Sequence, residues 1–146
     1  MNYTGPYIPP TLTVDAVIFR IEGGVLEVLV IERPNEPFKG SWALPGGYNA
    51  EGETTTHALH RIVSQKAGVD TEKDLSYVEQ LYTFDTVDRD PRGHAVSVTY
   101  MGCGRDIEIR DAGSKTAFLQ VDTLPELAYD HASIVKYARE RLIAKL

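Results

Sequence analysis

In the stretch from Gly46 to Val69, GGYNAEGETTTHALHRIVSQKAGV, two glycines lead through acidic residues into an amphipathic helix. Such an order suits a site that brings a phosphate and a divalent metal together. Positions 62, 65 and 66 are related by i, i+3 and i+4, so they share one helical face. Ile62, Gln65 and Lys66 stand there. Magnesium demands hard oxygen ligands. Isoleucine offers none, a glutamine amide is a weak neutral one, and a lysine ammonium repels the ion. The pocket frame is present, but the ligands for a hard dication are not.

The elements that must position this stretch follow from periodicity. TLTVDAVIFR (11–20) is rich in β-branched residues and predicts a strand. After the EGG turn, VLEVLVIER (25–33) predicts a second strand that completes a hairpin. PNEPFKGSWALPGG (34–47), with three prolines and the single tryptophan, predicts a loop. A helix is expected from about Thr54 to Ala67, ended by Gly68 at the C′ position. Strands are expected at 75–87, 95–104 and 116–122, with DRDPRGH (88–94) as a charged turn. Asp130 predicts the N-cap of a last amphipathic helix running to the final residue. Residues 1–10, with three prolines and two tyrosines, read as an extended arm before a domain of residues 11–146. The order predicts an α/β fold, a mixed sheet covered by helices on both faces.

With 146 residues the chain forms one ordinary domain. A net charge of −6 and a pI near 5.2 argue against gripping a nucleic-acid backbone unaided. One cysteine, Cys103, excludes an internal disulfide and a multi-cysteine zinc site. The first residues carry no secretory pattern and no apolar stretch approaches a membrane span, so the cytoplasm is the expected location.

Gly47, five residues, Glu53, seven residues, Arg61, then Val63 and Gly68-Val69 make a frame that resembles the Nudix box. WALPGG leads into it, a hairpin precedes it and a strand follows it. The resemblance implies the Nudix fold, a mixed sheet sandwiched between helices, and ligands built on a nucleoside diphosphate. It also implies carboxylates at positions 62, 65 and 66 holding Mg²⁺ against the pyrophosphate, where this chain departs from the pattern. No catalytic residue and no metal ligand is therefore assigned, no cofactor is required, and metal-dependent hydrolysis is expected to be absent or very slow.

The resemblance further implies a ligand-binding set. Gly46, Gly47, Glu53 and Arg61 belong to the box and its approach. Phe38 or Trp42 is expected to stack on a base or cover a ribose, and Arg33 to fork onto phosphate. Lys66 is expected to bind the diphosphate in place of a metal. DRDPRGH, between EQLYTF and AVSVTY, resembles a subgroup that handles ADP-ribose, with Arg89 or Arg92 reaching the diphosphate and Asp90 a ribose hydroxyl.

That subgroup includes transcriptional regulators of NAD metabolism, in which a Nudix-like domain with an eroded box is followed by a winged-helix domain that binds DNA. The chain end resembles the helix before that second domain, so the expectation is a sensing portion cut from a longer chain. ADP-ribose or a related nucleotide is the expected ligand. A homodimer is expected, with DNA bound only through the further domain and no membrane involved. Two alternatives differ in class: an active ADP-ribose pyrophosphatase drawing metal ligands from Glu51, Glu53 and Asp88, and an interaction domain with a vestigial pocket.

Overall fold

The computed structural model describes residues 5–146. The first four residues of the expected arm lie outside the described residues. Residues 5–10 form no helix or strand, and Tyr7 and Ile8 are exposed.

One seven-stranded sheet forms the middle of the molecule. β1 (Thr11–Glu22) and β2 (Val25–Glu32) make the expected hairpin. β1 also pairs in parallel with β6 (Ala95–Cys103), whose other edge carries β5 (Tyr77–Phe84) antiparallel. β7 (Thr116–Gln120) pairs with β2. The segment 34–47, expected to be wholly loop, contributes two short strands instead. β3 (Trp42–Ala43) adds to β2, and β4 (Gly46–Tyr48) adds to β1. Prolines and glycines hid them, because pieces this short have no visible alternation.

Two helices cover the two faces. α1 (Thr55–Ala67) starts where the Thr54 hydroxyl accepts the His57 N–H and ends at Gly68, whose φ of 68° is left-handed. A side chain at Gly68 would also run into the Arg110 carbonyl, so glycine is required there twice over. Ala58, Leu59, Ile62, Val63 and Ala67 pack on Val14, Ala16 and Ile18 of β1. α2 (His131–Ala144) sets Ile134, Val135 and Ala138 against Val17 and Phe19 on the opposite face. Alternate β1 residues thus feed two cores, which is why its middle reads as a continuous apolar run. The α/β/α sandwich is as expected. Asp130 differs: its side chain makes no capping bond, because the carboxylate is engaged by Arg89.

No described helix is long and apolar enough to cross a membrane.

Candidate functional site

The strand pair β1/β4, the loop after β2, the face of α1 and the start of α2 enclose a cavity of about 390 Å³. Five cationic side chains line it: Arg33, Arg61, Lys66, Arg89 and Arg92. Only two carboxylates do, Asp15 and Asp90. An acidic chain therefore carries a basic pocket.

Most of these charges are already spoken for. Arg61 forks onto Glu53 (Nε–Oε2 2.8 Å, Nη2–Oε1 2.9 Å) and donates to the Tyr48 carbonyl at 2.8 Å. The Arg61 guanidinium and the Ala50 N–H hold the Glu53 carboxyl down at about 2. This pair ties the approach loop to α1, and Glu53 itself stands outside the pocket lining. Arg92 forks onto Asp90, whose Oδ1 also accepts the Arg92 backbone N–H. Arg89, its side chain only 5% exposed, forks onto Asp130 at 2.9 and 2.8 Å and approaches Asp15 at 4.0 Å. Burial opposes the Arg89 charge, but Asp130 and Asp15 outweigh it and keep the guanidinium firmly protonated.

Two cations differ. Arg33 donates through Nε to the Pro37 carbonyl at 2.7 Å, and Lys66 donates to the Gly46 carbonyl. Neither forms an ion pair with a described carboxylate. Burial holds the Lys66 ammonium below its usual range, and the nearby Arg33 pushes the same way. Both effects would be relieved by an anion lying between the two.

The fit to a hard dication is poor. On the helix face in question, Ile62 is buried, Gln65 is exposed and outside the cavity, and Lys66 donates to the Gly46 carbonyl. Among the described residues no three His, Cys, Asp or Glu side chains are grouped to hold a metal. Glu51 and Asp88 are exposed, and neither lines the cavity.

Of the residues expected from sequence, Arg33, Gly46, Gly47, Arg61, Lys66, Arg89, Asp90 and Arg92 line the cavity together. Phe38 and Trp42 do not. Trp42 packs into the α2-side core, and its carbonyl accepts the Ala128 N–H at 2.9 Å. Phe38, exposed and with φ of 63°, sets its ring 4.7 Å from that of Tyr129. The cavity's aromatic side chains are Tyr48 and Tyr129, the latter at a left-handed φ of 53°, with Arg33 over its ring at 5.1 Å and Arg92 donating to its hydroxyl at 3.2 Å. Burial pushes the Tyr129 phenol up.

The sequence reading also passed over Asp15 and His131. Asp15 is 6% exposed; its Oδ2 accepts the Ser97 hydroxyl at 2.5 Å. A charged residue inside the buried run Val14–Phe19 was the available signal. His131 opens α2 and is buried, and burial pushes its imidazole down despite Asp15, so the ring is neutral. Its Nδ1 accepts the Leu44 N–H at 3.0 Å.

A β-carbon at Gly46 would stand 1.9 Å from Asp15 Oδ1. Gly46→Ala is expected to cost about 1–3 kcal/mol by overpacking, read as a lower unfolding temperature; unchanged melting would mean the Asp15 side chain can step aside.

A sequence model described as the NUDIX domain matches residues 9–140. The ADP-ribose pyrophosphatase of Methanocaldococcus jannaschii is 35% identical over 133 residues, covering 89% of this chain and 73% of that protein. The ADPR responsive transcriptional repressor NtrR of Acinetobacter baylyi is 33% identical over 144 residues; the match covers 93% of this chain but only 56% of the repressor. Among solved structures, the NUDIX domain of Shewanella oneidensis NrtR complexed with ADP ribose superposes with a TM-score of 0.81 at 35% identity, covering 93% of this chain and 90% of that one.

Proposed function

Because this chain belongs to the NUDIX domain family, its basic pocket can be read within that family, and we propose that it binds ADP-ribose or a related nucleoside diphosphate derivative without efficient hydrolysis. In this reading it is the ligand-sensing portion of a transcriptional regulator of NAD metabolism. DNA is then contacted through a further domain, and the regulator works as a homodimer.

One observation carries the reading. Lys66 stands on the helix face where a metal-dependent site needs carboxylates, and with Arg33 it forms the only pair of cavity cations without a described carboxylate partner. A diphosphate entering between them meets two fixed positive charges, and Arg33 can present a fork to its oxygens. The ammonium puts a single positive charge where a divalent ion would sit, while leaving no place for that ion and no metal-activated water. The ligand is held and not cut, as a sensor needs. Likeness to the NtrR repressor and to the ADP-ribose complex of NrtR supports the choice of ligand and role.

The test is calorimetry with ADP-ribose in EDTA and in magnesium. Affinity is expected to be the same in both, and binding that disappears with EDTA would refute the reading. A second reading, an ADP-ribose pyrophosphatase, is favoured by the likeness to the Methanocaldococcus jannaschii enzyme. A release assay for AMP and ribose 5-phosphate with magnesium separates the two, and no turnover is the expected result.

A further inference from the structure

Every ligand with two ribose units presents hydroxyl groups as well as phosphates, and the cavity must meet them with acceptors. Of its two lining carboxylates, Asp90 has both oxygens engaged by Arg92. Asp130 and Glu53, close by, are engaged by Arg89 and Arg61 in the same way. Asp15 differs. Its Oδ2 is taken by Ser97, while among the described residues no hydrogen bond engages Oδ1, in a residue only 6% exposed. His131 Nε2 stands 3.7 Å from Oδ1, too far for a hydrogen bond.

The tautomer of His131 completes the pattern. Nδ1 accepts from the Leu44 amide, so in the neutral ring the proton sits on Nε2. An acceptor and a donor thus stand side by side on the cavity wall, unpaired with each other. Gly46 packs against Oδ1 where any β-carbon would collide with it, which keeps the oxygen reachable. Neighbouring hydroxyls satisfy both atoms at once: one donates to Oδ1, the other accepts from Nε2–H. A phosphate in that position would meet a carboxylate instead.

We infer that Asp15 and His131 form a subsite for the vicinal diol of a pentose, selecting an unphosphorylated sugar on the bound diphosphate. The inference rests on the proposed nucleotide-binding function and assigns to Asp15 the ribose contact expected of Asp90.

The test is calorimetry on the unmodified protein and on two variants. Asp15→Asn keeps the side-chain volume and removes the charge. His131→Asn keeps an oxygen near the Leu44 amide and removes the Nε2 donor. In the unmodified protein, deleting the diol is expected to weaken binding about 10- to 100-fold, the range of a hydrogen bond to a charged group. ADP against 2′,3′-dideoxy-ADP tests the adenosine pentose, and ribose 5-phosphate against 2-deoxyribose 5-phosphate tests the terminal one. Asp15→Asn and His131→Asn should each shrink that discrimination while leaving pyrophosphate affinity undiminished. Equal binding with and without the diol in both arms overturns the subsite, and needs no variant to fold. So does a variant that loses pyrophosphate as severely as ADP-ribose. Failure of the unmodified protein to bind ADP-ribose or pyrophosphate would instead overturn the proposed function, and the subsite with it.

Discussion

Lys66→Glu is expected to lower metal-free affinity for ADP-ribose by at least about 100-fold. Two unit charges about 4 Å apart interact by roughly 4 kcal/mol at an effective dielectric near 20. The substitution removes one such attraction to the diphosphate and installs a repulsion in its place. Solvent at the cavity mouth and flexibility of the long side chain reduce the effect, which is why the expectation stops at two orders of magnitude. The variant also frees the Gly46 carbonyl and puts a carboxylate beside it, two hard oxygens where there was an ammonium. Magnesium should then restore part of the lost binding, although no effect of magnesium on the original protein's affinity is expected. Calorimetry in EDTA and in magnesium reads both halves. Equal affinity of the variant and the original in EDTA would remove Lys66 from the diphosphate site.

The second large effect concerns stability. Asp130→Ala strips the forked partner from an arginine whose side chain is only 5% exposed. Removing one member of a buried pair typically costs about 3–5 kcal/mol, because the other charge is left uncompensated. Asp15, 4.0 Å from Arg89, offers partial compensation, so the lower figure applies. About 3 kcal/mol corresponds to a fall of roughly 6–12 °C in the unfolding temperature for a domain of this size. The double variant Asp130→Ala with Arg89→Met should be more stable than Asp130→Ala alone, since it removes the stranded charge as well. If the double variant instead loses the sum of two independent penalties, the buried guanidinium is not the source of the cost.

How far the sequence carried depended on how local each signal was. Thr54 and Gly68 mark the ends of α1 because capping is decided within a few residues. The β1–β2 hairpin was legible for the same reason. The Lys66 argument needed helical spacing and the resemblance to the Nudix box, and the structure brings Lys66, Arg33, Arg61 and Arg92 to one cavity. Gln65 shows the limit of that argument, since it shares a nominal face with Ile62 and Lys66 yet points to solvent. What failed was long-range. Trp42 was expected at the ligand because the resemblance puts its loop in the pocket wall; its neighbours in the structure include Leu127 and Ala128 on the approach to α2, far along the chain. Tyr129 takes the wall position through a left-handed backbone that no propensity announces for tyrosine. Asp130 was a sound N-cap by local rules, but an arginine from the β5–β6 turn claimed its carboxylate. Asp15 and His131 have meaning only once β1, β6 and α2 are packed together.

The central strand pairing has a kinetic corollary. β1 finds its parallel partner only in β6, and the buried Ser97–Asp15 bond within that pair joins residues 82 positions apart in the chain. Closing so long a loop spends chain entropy before any contact rewards it. During synthesis the hairpin is made early, but its β1 edge lacks β6 and its β2 edge lacks β7 until the chain has been extended past Gln120. The nascent hairpin is therefore the stage at which this protein is most exposed to wrong partners, and where a chaperone would help it most.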